Sequence, residues 1–324
     1  MRIGINGFGR IGRVVARVLF QRRLNVVHIN DPSGNSSLVA HALRTDSVYG
    51  GVAAEVTAAS ATEVVVTSPL VNWRVLVTSA QEAAALDWQC DAIVDASSAP
   101  GKAISWRTRT GTQRVVLAGH DPDADDTVVL GATTMPRRGS LWAASTCDAV
   151  AIAPLLNQID QQAGVTRVFA TIVHPALSYQ RILDLWPPAL AVQNIALSRS
   201  VLNNIIPHET SVSTALSAVL PSLAGRVSAM SFRVPTDSVC MAAVTIVCRE
   251  EMEPSTLLSG MGSAGTQISL HDFIAVSRDF VGSSHSVIVI TPLTAQIDRY
   301  TLRVVLAYDN EWGYASRLAD LLVL

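Results

Sequence analysis

Two hydrophobic periods alternate along the first third of the chain. Residues 2–6 are a short apolar run, and glycines follow at once. Between positions 12 and 22, Val14, Val15, Val18 and Leu19 recur at helical spacing, and residues 26–30 read as a second strand. That order is one βαβ unit within about 30 residues. Residues 63–67 and 74–78 predict a hairpin or sheet extension. Residues 92–95 and 115–117 predict buried parallel strands. Residues 127–130 predict another strand, before a loop at 136–139. Strands alternating with helices imply a doubly wound parallel sheet.

The texture changes after about residue 147. Residues 149–161 predict a helix and 167–173 a β-branched strand. Residues 179–199, with Pro187 and Pro188, predict a long irregular loop. A helix is expected at 214–220, before Pro221, and strands at 229–235, 239–247, 286–290 and 300–308. Long strands joined by few helices imply an α+β domain with a mixed or antiparallel sheet. Residues 314–324 form an amphipathic helical pattern. The expected organisation is an α/β domain at 1–146 and an α+β catalytic domain at 147–310. The final segment, 311–324, is expected to pack back on the first domain.

Composition narrows the function classes. A chain of 324 residues suggests two domains and needs no disulfide or metal staple. With 49% hydrophobic and 15% charged residues it is not a disordered polymer. A net charge of −2 argues against a nucleic-acid groove or an anionic membrane surface. Lys102 is the single lysine among 24 basic residues, so Schiff-base chemistry has one candidate only. Cys90, Cys147, Cys240 and Cys248 form no CxxC pair and no Cys/His pattern at zinc spacing, so no metal is expected. The glycine-rich opening lacks the apolar stretch of a signal peptide. The longest run without Asp, Glu, Lys or Arg, residues 280–297, is continuously apolar only at 287–290, far short of the ~20 residues a spanning helix needs. No membrane association and a cytoplasmic location are the expectations.

Gly7-Phe8-Gly9-Arg10-Ile11-Gly12 is GxGxxG between a strand pattern and a helix pattern. The first glycine permits a tight turn, the second lets backbone approach a pyrophosphate, and the third lets helix and strand pack closely. The helix N-terminus then offers N–H groups to the phosphates. Asp31, nineteen residues after Gly12, stands where a carboxylate binds a ribose 2′-hydroxyl, which favours NAD over NADP. Ser33 and Gly34 follow it and would still tolerate a 2′-phosphate.

Cys147 opens an apolar helical run in Ala144-Ser145-Thr146-Cys147-Asp148-Ala149. A helix N-terminus is expected to lower its pKa. His174 ends a strand pattern before Pro175 and is a candidate base. Spacing alone leaves open whether the two meet. Taken singly, Cys147 also reads as a small buried apolar residue and His174 as a hydrogen-bonded structural one. Cys90, Cys240 and Cys248 read as core filling.

These residues resemble the glyceraldehyde-3-phosphate dehydrogenase family, which includes erythrose-4-phosphate dehydrogenase. The resemblance runs from Ile5-Asn6-Gly7-Phe8-Gly9-Arg10-Ile11-Gly12-Arg13 through Asn30-Asp31, Cys147 to Pro154, and Thr171 to His174. It continues through Asn204-Ile205-Ile206-Pro207, Phe232-Arg233-Val234-Pro235-Thr236 and Tyr308-Asp309-Asn310-Glu311-Trp312-Gly313-Tyr314. It implies a Rossmann NAD-binding domain, a phosphorylated aldehyde substrate, catalytic Cys147 and His174, and an acyl-thioester on Cys147. It also implies cofactor contacts from Gly7, Gly9, Arg10, Ile11, Gly12, Asp31, Ser97 and Asn310. Anion or substrate contacts are implied for Thr146, Asp148, Arg199, Thr210 and Arg233, and a homotetramer is the implied assembly.

The resemblance has gaps. Asp148 stands where a phosphate-binding threonine is usual, Val150 replaces an asparagine, and Ser211 replaces a glycine. Residues 175–180 lack the threonine of the glyceraldehyde type and look more like the erythrose type. A unit-charge pair at ~4 Å and an effective dielectric near 20 costs about 4 kcal/mol before screening. Asp148 is therefore expected to repel a phosphate dianion, so water competes as acyl acceptor. The alternatives are an erythrose-type hydrolytic aldehyde dehydrogenase and a degenerate nucleotide-binding paralogue.

Overall fold

A computed structural model describes residues 1–99, 101–108, 114–134, 140–185, 195–261, 265 and 267–324. The loop expected at 136–139 lies outside the described residues, as do residues 186–194 of the proline-bearing loop. The chain divides into two compact units. One comprises Met1–Val128, Thr134–Thr146 and Tyr314–Leu324; the other comprises Val129–Thr133 and Cys147–Gly313.

In the first unit, β1 (Arg2–Asn6), α1 (Arg10–Gln21), β2 (Asn25–Asn30) and α2 (Ser36–Arg44) come first. They are followed by β3 (Glu55–Ser60), β4 (Glu63–Thr67), β5 (Asn72–Thr78), β6 (Ala92–Asp95), α3 (Lys102–Arg107), β7 (Arg114–Leu117), β8 (Asp126–Thr127) and β9 (Leu141–Ala143). The sheet order is β3-β4-β5-β2-β1-β6-β7-β9-β8. Strands β5-β2-β1-β6-β7-β9-β8 pair in parallel, and β3-β4-β5 is an antiparallel extension. The doubly wound sheet expected from the alternation is therefore present. The strand expected at 127–130 is much shorter than its apolar pattern suggested: it pairs only at Asp126 and Thr127, and Val128 and Val129 are buried without belonging to a strand. β3 escaped the sequence reading because only Val56 of its six residues is buried.

The central strand β6 is buried at every position because both faces of the sheet are covered there. β1 is the crossover point: the chain runs from it to β2 on one side and reaches β6 on the other. A ligand cleft is expected beyond the carboxyl ends of strands at such a point. A cleft of about 540 Å³ does lie there, lined among others by Asn6, Asp95, Ser97 and Lys102. The last helix, α7 (Trp312–Val323), belongs to this unit from Tyr314 onward. Its Asp320 pairs with Arg22 of α1's C-cap at 2.5 Å, and the Tyr314 hydroxyl accepts the Gly119 N–H at 2.7 Å.

The second unit holds α4 (Cys147–Ala163), β10 (Val165–Pro175), β11 (Ile206–His208), α5 (Val212–Val219), β12 (Val227–Val234) and β13 (Cys240–Cys248). α6 (Pro254–Met261), β14 (Ile268–His271), β15 (Val287–Ile290), β16 (Ala295–Asp298) and β17 (Thr301–Tyr308) complete it. The order is β11-β12-β10-β13-β17-β15-β14, with β16 paired to β17. The sheet is mixed: β10 runs parallel to β12 and antiparallel to β13. Alternation sets its two faces. Val168, Ala170, Ile172 and His174 of β10 are buried, whereas Phe169, Thr171 and Val173 are exposed.

Candidate active site

The glycine loop satisfies its own steric conditions. Gly7 has φ +85°, a conformation L side chains rarely adopt, and a Cβ there would lie 2.6 Å from the Ser97 nitrogen. At Gly12 a Cβ would lie 1.9 Å from the Gly7 carbonyl oxygen, so only glycine lets α1 pack this closely on the turn. Gly9 differs: nothing lies within 4 Å of its missing Cβ. The middle of the loop therefore presents open backbone. Gly9 is also the N-cap of α1 and provides no side-chain cap, and the helix has no acid in its first turn. A helix N-terminus with no side-chain cap suits an anion such as a pyrophosphate. Arg10 and Ile11, in that turn, are half-buried. Arg10 pairs with Asp46 at 2.8 Å and sits over the Tyr49 ring.

Asp31 follows β2. One carboxylate oxygen accepts the Phe8 N–H at 2.8 Å and the other the Ser33 N–H at 3.0 Å. The acid is thereby tied to the glycine loop, as a ribose-binding carboxylate must be. Ser97 donates its N–H and hydroxyl to Asp95 Oδ1 at 2.9 and 2.6 Å. Lys102, the single lysine, donates to the Ala118 carbonyl at 2.6 Å and the Ser97 carbonyl at 3.2 Å. It serves as a cap on strand ends. Open backbone at Gly9, the uncapped helix and the anchored acid together fit a dinucleotide.

In the second unit, the first residue of α4 is Cys147, and His174 is the penultimate residue of β10. Sγ of Cys147, a carboxylate oxygen of Asp148 and a ring nitrogen of His174 all lie within 4.8 Å of one another. Residues far apart in sequence thus converge on one point. His174 is 3% exposed, and its Nδ1 lies 2.8 Å from the Pro175 carbonyl oxygen. Nδ1 therefore carries the proton, and Nε2 is left as the acceptor. The Cys147 thiol donates to Asp148 Oδ1 at 3.7 Å, and that oxygen also accepts the Tyr308 hydroxyl at 2.7 Å. Asp148, Tyr308 and Cys240 are buried.

The electrostatics correct one expectation. Cys147 was expected to have a low pKa at a helix N-terminus. Burial instead pushes its thiol well above the ordinary cysteine value, and the Asp148 carboxylate adds to this, against a smaller opposing pull from Arg233. Desolvation outweighs the helix end because the dipole is worth at most ~2 kcal/mol there. Burial pulls His174 down to about 4, and Arg233 pulls in the same direction. Both groups rest neutral near pH 7. Burial likewise raises Tyr308 and Cys240, so both stay protonated.

Arg233 stands opposite His174 in the β10–β12 register. It is 8% exposed, and its buried Nε and Nη1 have no hydrogen-bond partner among the described residues. A buried guanidinium with unused donors is a receptor for an anion. Asn310 is 5% exposed, and its buried Oδ1 likewise has no partner among the described residues, leaving an acceptor for an amide donor. Thr210 is half-buried and its hydroxyl accepts the Val212 N–H at 3.3 Å. Arg199 is mostly exposed and pairs with Asp184 at 2.6 Å. Thr146 is half-buried in the first unit. Sequence reasoning gave Tyr308 no role of its own and read Cys240 as core. The signal for Tyr308 was a tyrosine ending an apolar strand, since a buried phenol needs a partner.

Among the described residues, no helix is long and apolar enough to cross a membrane. Two family models match the chain. Residues 1–102 match the glyceraldehyde 3-phosphate dehydrogenase NAD binding domain, and residues 146–310 match the C-terminal domain of the same family. A glyceraldehyde-3-phosphate dehydrogenase of Mastigamoeba balamuthi is 30% identical, with 99% of this chain and 97% of that protein aligned. One of Mycobacterium avium is 30% identical over 100% of this chain and 98% of its own. A chloroplastic form of Arabidopsis thaliana is 29% identical over 99% of this chain and 77% of its own. The glycine loop and the convergent cysteine and histidine thus fall within matched domains, and the chain belongs to the glyceraldehyde-3-phosphate dehydrogenase family as an NAD-dependent oxidoreductase.

Proposed function

We propose that this chain oxidises a small phosphorylated aldehyde through a covalent thioester on Cys147, and that water competes with inorganic phosphate as the acyl acceptor. The observation that carries the reading is the meeting of Cys147, Asp148 and His174 within 4.8 Å. Cys147 Sγ attacks the aldehyde carbon while the thiol proton passes to His174 Nε2, giving the hemithioacetal oxyanion and an imidazolium. Both groups rest neutral before substrate arrives, so the proton leaves sulfur as the C–S bond forms rather than beforehand. When bound, NAD supplies the hydride acceptor that converts the hemithioacetal carbon to the thioester. Arg233 holds the anionic end of the substrate with its unused donors, and Asn310 orients an amide with its free acceptor. Gly7, Gly9, Arg10, Ile11, Gly12, Asp31 and Ser97 are the proposed dinucleotide contacts. Thr146, Thr210 and Arg199 are the proposed secondary anion contacts.

Asp148 sets the second half of the reaction apart. A buried carboxylate beside the thioester disfavours a phosphate dianion and tolerates water. Hydrolysis adds water oxygen to the thioester carbon and breaks the C–S bond, leaving a carboxylate and the Cys147 thiol, and the two excess protons, one of them from His174, go to solvent. The test follows NAD reduction with a phosphorylated aldehyde while inorganic phosphate is titrated. Turnover should persist without phosphate and rise less than about twofold at millimolar levels; strict dependence with tight saturation contradicts hydrolysis.

A homotetrameric assembly belongs to the same proposal. The outer face of the second unit's sheet exposes Phe169, Val173 and Met230, a surface suited to a second copy of the chain. A cytoplasmic location is part of it too, supported by four free cysteines.

A further inference from the structure

We propose that Cys147, Asp148 and His174 also form a three-ligand site for a borderline divalent cation, Zn²⁺, whose binding reversibly silences the thiol. Thiolate, carboxylate and imidazole are the donor types zinc takes, and three protein ligands with a fourth position open are a recurrent zinc arrangement. Tetrahedral bonds of 2.0–2.3 Å place donor atoms roughly 3.5 Å apart. The three atoms here lie within 4.8 Å of one another, so side-chain rotation of about 1 Å closes the set.

The supporting hydrogen bonds are already in place. The His174 Nδ1–H faces the Pro175 carbonyl at 2.8 Å, which directs the Nε2 lone pair to the ligand. The Tyr308 hydroxyl donates to Asp148 Oδ1 at 2.7 Å, fixing the carboxylate beside the thiol. Charge also balances. The thiol proton leaves to solvent as the S–Zn bond forms, and thiolate with carboxylate neutralises the ion. Arg233, whose guanidinium acts electrostatically on both Cys147 and His174, then faces a centre of no net charge, and its unused donors can hold an anionic fourth ligand. Sequence spacing gave no hint of the site because its ligands come from the start of α4 and the end of β10.

The test uses the purified full chain, stripped of metal, with Zn²⁺ alone as titrant in calorimetry and Co²⁺ alone as spectroscopic reporter. One ion per chain and a thiolate-to-cobalt charge-transfer band in the near-ultraviolet are expected. Zinc should also block modification of Cys147 by a thiol reagent, and chelation should restore it. D148N and H174A should each weaken binding at least tenfold, with circular dichroism confirming that each folds. The proposal is overturned if Co²⁺ gives no charge-transfer band. It is equally overturned if D148N binds Zn²⁺ as tightly as the parent, since the cysteine and histidine then act without the third ligand. Because the readouts are binding and thiol access, they stand or fall separately from the dehydrogenase reading.

Discussion

The glycine loop and the cysteine cluster are under different kinds of control. At Gly7 and Gly12, backbone atoms 2.6 and 1.9 Å from the missing Cβ permit one residue type. At the cysteine cluster the backbone accepts several side chains, and chemistry decides. Asp148 there replaces the residue usual in the family, yet α4 starts at Cys147 all the same and Tyr308 meets the new carboxylate. Hard-sphere limits keep a cofactor loop recognisable across distant relatives. Side-chain electrostatics can change around a nucleophile while the backbone frame stays the same.

The largest effect should come from the cluster. Cys147→Ser should lower NAD reduction by about 10⁴-fold or more, because the hydroxyl is a far poorer nucleophile without a strong base. NAD affinity, measured by calorimetry, should be retained. Loss of NAD binding in this variant would show that the two regions are not separable.

Within the loop, two glycines should behave oppositely. Gly12→Ala should destabilise the protein by about 2–4 kcal/mol in thermal or denaturant unfolding, since backbone must move to admit the methyl group. Gly9→Ala should change stability by less than about 0.5 kcal/mol, yet weaken NAD measurably, because its open space is what the pyrophosphate approaches. Equal stability losses in both would refute the steric account.

His174 sharpens the comparison through pH. Its folded pKa of about 4 lies below the ordinary 6.5, so the folded state prefers the neutral ring. That contribution is fully present above pH 6.5 and is lost as pH falls from 6.5 toward 4. It amounts to about 3.5 kcal/mol at most, from roughly 1.4 kcal/mol per pH unit. Unfolding free energies across this window should fall less steeply in His174→Asn; an identical slope would remove His174 as the cause.

The smallest effect concerns thiol reactivity. Asp148 raises the Cys147 pKa through its charge and by accepting the thiol hydrogen bond. Asp148→Asn should therefore increase the alkylation rate at pH 7, by about tenfold for each unit the pKa drops. Slower alkylation would mean that Asp148 assists deprotonation rather than opposing it.

Much was legible before any coordinates. Period and punctuation located β1, α1, β2 and the glycine turn because strand, helix and phosphate loop are local in the chain. The start of α4 and the end of β10 were likewise marked by Cys147 and by His174 with Pro175. β3, with one buried residue, carried no alternation to read. The partner of Arg199 was not legible: its side chain pairs with Asp184, fifteen residues earlier, at the surface.

By itself, then, the sequence determined the order of elements and the need for glycine at the turn, and it offered Cys147 and His174 as candidates, since each of these follows from neighbouring residues. Tertiary structure alone decided that Asp148, Tyr308, Arg233 and Cys240 surround them, that the thiol is raised rather than lowered, and that Asn310 and Arg233 hold unused polar atoms. Burial and long-range pairing produce those properties, and neither is a property of any short stretch of chain.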